Sequence, residues 1–168
     1  MARKYDTTSI NESLLQILSE VPGNVYWKNI KGEYEGCNNN QLKVAKLARV
    51  EDIIGKTDYD LYDKKIADAV RAIDIAVMNE GKEREIEEIG VGEDGNESVY
   101  LTKKKPLFDK SGNIVGIMGT SINITDRKRA EDLEKRKAIA EKTAKFMEML
   151  AGSIAHELRT PLGSVAKS

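Results

Sequence analysis

The residues with the clearest capacity for chemistry lie in the segment HELRTPL, residues 156–162. His156 is the single histidine among 168 residues. A neutral imidazole is a nucleophile near pH 7, and a carboxylate that fixes one ring nitrogen aims the other at an electrophile. Glu157 follows directly and can supply that carboxylate. Thr160 stands four residues after His156, on the same face of a helix that Pro161 is expected to bend or end.

The order of these residues resembles the phosphoacceptor box of sensor histidine kinases. The resemblance implies that His156 accepts a phosphoryl group from ATP and passes it to an aspartate of a response regulator. It gives Glu157 the role of general base or orienting partner. It gives Thr160 the place where the family positions water to dephosphorylate the regulator. An isolated histidine–glutamate pair is more often a solvated pair near a helix end, but the complete string behind a heptad stretch favours the phosphoacceptor.

A long helix is expected to carry this segment, because no strong helix breaker except Gly152 occurs between Asp126 and Pro161. Residues recur every seven positions in two series offset by three, which is the a/d pattern of a coiled coil. The series are Ala130, Lys137, Ala144, Ala151 and Leu158 at a, and Leu133, Ala140, Met147 and Ile154 at d. His156 falls outside this seam, at an exposed position. The pattern predicts a homodimer held by the coiled coil.

The residues before this helix predict two strands, several short helices and three further strands. Turn signals at Lys31-Gly32 and Asp94-Gly95 join neighbouring strands as hairpins. The predicted strands are 24–29, 33–37, 83–91, 98–108 and 114–124, and the predicted helices are 11–19, 38–48 and 63–79. The inward face of the last helix is predicted to carry Ile66, Ala69, Val70, Ile73 and Val77.

This order of elements resembles a PAS domain over about residues 21–129, with matching segments VYWKNIKGEYEGCN, IIGKTDYDLY and GNIVGIMGTSINITDRKRAE. The resemblance implies an α+β fold, in which a five-stranded antiparallel sheet with flanking helices often encloses a ligand. Asn123 stands where the family's exit motif has aspartate. Asparagine can still cap the next helix, but it cannot form the family's ion pair, so coupling across this junction is expected to differ.

These patterns predict four parts of the chain. They are an N-terminal amphipathic helix (1–20), a PAS sensor domain (21–125), a coiled-coil signalling helix (126–150) and a truncated dimerisation and histidine phosphotransfer helix (151–168). ATP would enter only through a nucleotide-binding catalytic domain, which we expect beyond Ser168. This chain alone is therefore expected to be inactive as a kinase.

The composition limits which kinds of partner and which cellular compartment fit this chain. The net charge of -1 leaves no unbalanced basic surface for nucleic acid. One cysteine, Cys37, excludes an internal disulfide and fits a reducing compartment. No stretch approaches the roughly 20 apolar residues of a membrane span, and the N-terminus lacks the apolar core of a signal peptide. We therefore expect a cytoplasmic chain without a membrane segment, although its parent protein is free to be anchored elsewhere.

A cofactor in the sensor domain is left open by the sequence. Aromatic and sulfur side chains that are candidates to line a pocket are Trp27, Tyr34, Tyr59, Tyr62 and Met118, although their spacings favour ordinary core packing. Haem bound through histidine is excluded, because His156 lies outside the domain. A cysteinyl-flavin photosensor is also excluded, because Cys37 ends the second strand and not the helix after the central loop. No metal site is predicted, and the run 103–105 of three lysines is interpreted as a solvated strand face or edge guard.

The function predicted from these features is the sensory and phosphoacceptor fragment of a two-component histidine kinase. Its expected partners are a second copy of the chain, the catalytic domain and the receiver domain of a response regulator. The alternative is a non-enzymatic PAS dimerisation or ligand-binding module in which the phosphoacceptor box is vestigial.

Overall fold

The computed structural model describes the backbone of residues 7–164 and the side chains of residues 13, 14 and 16–159. The helices are α1 (Thr7–Glu20), α2 (Asn39–Val44), α3 (Asp58–Leu61), α4 (Lys64–Glu80) and α5 (Thr125–Ser164). The strands are β1 (Asn24–Asn29), β2 (Tyr34–Cys37), β3 (Arg84–Val91), β4 (Glu97–Phe108) and β5 (Ile114–Asn123). The chain forms two compact units that divide between Thr125 and Asp126. No helix in the described part of the chain is long and apolar enough to cross a membrane.

The five strands form one antiparallel sheet in the order β2-β1-β5-β4-β3. The predicted fold class, a five-stranded antiparallel sheet with flanking helices followed by a long helix, is confirmed. Tyr26 of β1 and Lys104 of β4 both lie opposite Gly119 of β5. A side chain at position 119 would collide with the Tyr26 ring, so the glycine makes room for that ring at the centre of the sheet.

The helix α4 begins and ends at the signals expected from its sequence. The Asp63 carboxylate accepts a hydrogen bond of 3.0 Å from the backbone N–H of Ile66, and Gly81 ends the helix with a left-handed φ of 63°. Its inward face differs from the prediction, because Ala69 is exposed whereas Ala67 and Asp74 are fully buried. The other predicted inward residues do face inward, since Val77 is fully buried and Ile66, Val70 and Ile73 are partly buried.

Three further predictions about helices needed correction. The helix predicted over 38–48 ends at Val44 and is followed by a short 3-10 turn, Val50–Asp52. The segment IIGKTDYDLY (53–62), which resembles the central loop of PAS domains, contains α3, whose N-terminus is closed by reciprocal hydrogen bonds between Thr57 and Asp60. Pro161 does not end α5, because the backbone stays helical to Ser164.

Three hydrogen bonds connect the end of the sheet to Thr125, the first residue of α5. Ile124 donates its backbone N–H to the carbonyl of Val99 at 2.8 Å, and the Val99 N–H donates to Thr125 Oγ1 at 2.9 Å. The Thr125 N–H donates to Asn123 Oδ1 at 3.0 Å, which satisfies the first amide of the helix. Asn123 thus serves the start of α5 as an acceptor, as its type predicts.

Candidate functional site

A cavity of about 70 Å³ lies between the sheet and the helices α2, α3 and α4. Its lining is unusually rich in phenol groups and includes two acids. The tyrosines are Tyr26, Tyr34, Tyr62 and Tyr100, the acids are Asp58 and Glu88, and the apolar part includes Val44, Ile66 and Val70. The period-2 alternation of the strands places these strand side chains on the helix-covered face of the sheet.

Four buried charged residues and the partly exposed Glu88 form a row of ion pairs that reaches the cavity at Asp58 and Glu88. Lys28 Nζ lies 2.6 Å from Asp58 Oδ2 and 3.0 Å from Asp74 Oδ2. Lys104 Nζ lies 2.7 Å from Asp74 Oδ1 and 3.0 Å from Glu88 Oε1. The signs alternate from Asp58 at one end to Glu88 at the other. Three carboxylates therefore face two ammonium groups, which leaves one negative charge in excess.

Two tyrosine rings complete the surroundings of Lys28. Its Nζ atom lies 5.2 Å from the ring centroid of Tyr26 and 4.8 Å from that of Tyr34, within the range of cation–π attraction. The Tyr34 hydroxyl donates a hydrogen bond of 2.9 Å to Asp58 Oδ1. The ammonium group is thus held by two carboxylates and two aromatic faces, which offsets the large cost of removing it from water.

Burial also controls the protonation of these groups. Burial, together with the nearby carboxylates, raises the pKa of the Tyr26 and Tyr34 hydroxyls well above the ordinary value. Burial raises the pKa of Tyr62 to about 12. Burial alone would lower the pKa of Lys104, but attraction from Tyr26, Asp74 and Glu88 outweighs it and raises that pKa. The phenols stay neutral and Lys104 stays charged at physiological pH.

The position of Lys104 corrects the interpretation of the three-lysine run. Lys104 is 0% exposed, whereas its neighbours Lys103 and Lys105 lie on the other face and pair with Glu83 at 3.1 and 2.7 Å. The strand β4 is also not an edge strand, because β3 and β5 flank it. The signal in the sequence was the strand period, which places Lys104 on the same face as Tyr100 and Thr102.

The pocket candidates from the sequence fall in different places. Tyr34 and Tyr62 line the cavity, and Gln41 Nε2 donates to the Tyr62 hydroxyl at 3.0 Å. Tyr59 is 51% exposed and donates to Asp68 on α4. Trp27 and Met118 lie opposite each other on β1 and β5. Since Tyr26 faces the cavity, Trp27 and its partner Met118 face the other side of the sheet.

The predicted phosphoacceptor residues lie on α5. His156 and Glu157 are exposed on this helix, whereas the Thr160 side chain lies outside the described residues. Cys37 is buried at the end of β2, and burial raises its pKa to about 11. In the part of the chain with described side chains, no group of histidine, cysteine and acidic residues forms a metal site.

Comparisons with known proteins agree with this geometry. A family model described as PAS fold matches residues 18–129. The aerobic respiration control sensor protein ArcB of Escherichia coli is 28% identical over 152 residues, which cover 90% of this chain and 19% of ArcB. Sporulation kinase C of Bacillus subtilis is 27% identical over 163 residues, which cover 94% of this chain and 37% of the kinase. The chain thus spans well under half the length of these relatives.

The fold also matches solved structures. The PAS domain of Bordetella pertussis BvgS superposes with a TM-score of 0.59 at 22% identity, covering 80% of this chain and 98% of that domain. At this level of identity the match establishes the fold of the sheet and its helices. Over most of its length, the chain is related in sequence to sensor histidine kinases.

Proposed function

The chain belongs to the PAS fold family, and we propose that it is the sensory and phosphoacceptor part of a two-component histidine kinase. The observation that carries this proposal is the HELRTPL segment on α5, a helix that begins directly after the last strand of the PAS sheet. Relatedness to ArcB and sporulation kinase C over most of the chain supports it.

In this proposal, the cavity receives the signal and the junction after β5 transmits it. The hydrogen bonds of Val99 with Ile124 and Thr125 connect β4 to the first residues of α5. A change in the sheet therefore changes the anchor of that helix. Along α5, a coiled coil between two copies of the chain carries the change to His156.

At His156, an imidazole nitrogen attacks the γ-phosphorus of ATP held by a separate catalytic domain. A nitrogen–phosphorus bond forms, the bond to the leaving ADP oxygen breaks, and the proton on the other ring nitrogen is accepted or held by Glu157. The exposure of His156 and Glu157 suits this reaction, because the catalytic domain has to reach the ring. The phosphoryl group then passes to an aspartate of the response regulator, and Thr160 positions water for its later hydrolysis.

Phosphorylation with ATP and the catalytic domain of the parent protein tests this proposal. Labelling should be acid-labile and should disappear in His156→Gln, while Glu157→Ala should slow it by about a hundredfold or more. Glu148→Ala, an exposed glutamate on the same helix, is the matched control and should label normally. Thr160→Ala should slow dephosphorylation of the regulator more than labelling. Label that persists on His156→Gln would end the proposal.

A second candidate is a non-enzymatic PAS module that dimerises or binds a ligand, with a vestigial phosphoacceptor box. It is favoured by the cavity, whose lining lies wholly between Asn24 and Ser121 and does not involve α5. The same labelling experiment separates the two candidates. Absence of phosphate on the wild-type chain, in the presence of an active catalytic domain, would favour the non-enzymatic module.

A further inference from the structure

The two ends of the buried charge chain differ from its middle. Asp58 and Glu88 line the cavity, whereas Lys28, Asp74 and Lys104 are fully buried and do not line it. A ligand in the cavity therefore meets negative charge, while the positive groups stand behind the acids. The five charged groups together carry one excess negative charge, and an uncompensated buried charge is costly.

Glu88 has capacity for a further hydrogen bond. Its Oε1 atom forms an ion pair of 3.0 Å with Lys104 Nζ whose angles are poor for a hydrogen bond, and the side chain is 14% exposed. Buried acceptors without a donor are rare in folded proteins and mark places where a ligand or water binds. A positively charged donor in the cavity would offset the excess negative charge and also donate a hydrogen bond to Glu88.

We propose that the cavity binds a small organic primary ammonium ion, with its charged end at Glu88 and Asp58. The protein already builds this kind of site for its own Lys28, whose ammonium group is held by Asp58, Asp74 and the faces of Tyr26 and Tyr34. The ligand would repeat that arrangement beside Glu88, at the other end of the row of charges.

The size and lining of the cavity limit the rest of the ligand. A cavity of about 70 Å³ is roughly half the volume of the 150 Å³ cavity that accepts benzene. The body of the ligand therefore has only a few heavy atoms. Ile66 and Val70 of α4 supply an apolar wall for a short alkyl chain. Tyr62 and Tyr100 supply aromatic surface beside the charged end.

This inference rests on the proposed sensor role, but its test measures binding to the chain itself and needs no kinase. Propylammonium, 1-propanol and propionate have similar size and differ in charge. Each is titrated at matched ionic strength while backbone amide signals of the chain are followed by NMR. Propylammonium should give saturable shifts at Glu88 and Tyr100, and the other two should bind at least about tenfold more weakly.

Variants locate the site. Glu88→Gln should weaken propylammonium binding about tenfold or more. Glu85→Gln on the same strand, whose residue is exposed, is the matched control and should bind as the wild type does. If Glu88→Gln fails to fold, the comparison of the three probes on the wild type still decides. Propionate or 1-propanol binding as tightly as propylammonium, or no saturable propylammonium binding, would overturn the inference and leave the labelling of His156 unaffected.

Discussion

Asp74 connects the two halves of the buried charge chain. Its Oδ2 atom accepts a hydrogen bond of 3.0 Å from Lys28, its Oδ1 atom accepts one of 2.7 Å from Lys104, and the residue is 0% exposed. Since neither lysine can reach water, each depends on its carboxylate partners for the stability of its charge. Asp74 serves both.

Asp74→Asn should lower the free energy of unfolding by about 3 to 5 kcal/mol, because it removes the carboxylate that the two buried ammonium groups share and leaves each with a single carboxylate partner. Equilibrium unfolding in urea measures this loss. Asp68→Asn is the matched control on the same helix, where the carboxylate is about half exposed and pairs with Lys64. Its loss should be much smaller, because exposed ion pairs contribute little. Similar losses in the two variants would contradict a structural role for the buried chain.

The buried tyrosines predict lower stability at alkaline pH. Burial raises the pKa of Tyr62 from an ordinary 10.0 to about 12, and it raises the pKa of Tyr26 and Tyr34 in the same direction. A phenol with a raised pKa is still neutral in the folded chain at a pH that has ionised it in the unfolded chain. Its contribution to stability is therefore complete below pH 10.0 and is lost as the pH rises to about 12.

Urea unfolding followed from neutral pH to about 12 should show this decline, and Tyr62→Phe should make it shallower. The part of the decline due to Tyr62 is on the order of 2 kcal/mol. The variant also loses the hydrogen bond from Gln41, so the comparison is made on the slope with pH and not on stability at one pH. Identical slopes in the two proteins would contradict the assignment.

At the scale of elements, the junction between the sheet and α5 is the feature with the most direct bearing on signalling. The Thr125 hydroxyl oxygen accepts from Val99 N–H while the carbonyl of Val99 accepts from Ile124 N–H, so β4 and the start of α5 hold each other reciprocally. These hydrogen bonds join β4, the strand that carries buried Lys104, to Thr125, the first residue of α5.

Thr125→Val keeps the shape of the side chain but removes the acceptor of the Val99 N–H. A partly buried donor without a partner costs about 1 to 3 kcal/mol. Hydrogen exchange should therefore speed up at the Val99 amide and in the first turn of α5, by about tenfold for each 1.4 kcal/mol. Thr120→Val on β5 is the control and should leave these amides unchanged. Unchanged protection in Thr125→Val would mean that the hydroxyl does not hold the junction.

The sequence was informative about elements where the local signals were strong. The strand β1 was predicted with its observed bounds, and α4 differs by one residue at each end. These elements have unambiguous turns or caps, since the Lys31-Gly32 turn follows β1 and Gly81 ends α4. The helix α3 was missed because four residues are too few for a periodic pattern.

The cavity was only partly predictable for a different reason. Lys28, Asp58 and Asp74 have residue types that normally face solvent. Their burial depends on one another across three elements that are far apart in the sequence, with Lys28 and Asp74 separated by 46 positions. No local pattern reports such a pairing. The phosphoacceptor segment is the opposite case, since its residues are contiguous and the motif can be recognised from the sequence alone.

At the scale of the whole molecule, α5 presents an apolar surface without a partner in the described chain. Leu133, Met147 and Ile154, all at d positions of the heptad pattern, are each more than half exposed. Apolar residues in a regular row along a helix of 40 residues are typical of a coiled-coil surface. A second copy of the chain is the proposed occupant. The a positions of this seam are weak, because Ala130, Ala144 and Ala151 are small and Lys137 is charged.

A seam of this kind should hold two helices while permitting more than one packing of similar energy, and signals from the sheet can then bias the populations. Each alanine in place of leucine forgoes about three buried carbons, at roughly 0.8 kcal/mol each. Lys137→Leu with Ala144→Leu should therefore raise the melting temperature of the dimer and hold the parent kinase in one output state. Lys135→Leu with Lys142→Leu, off the seam, is the matched control and should change neither. Dimer mass and melting temperature measure the change in stability. Labelling of His156 with and without the signal measures the response of the kinase. A doubly substituted kinase that is more stable yet still responds to its signal would show that the weak seam does not transmit it.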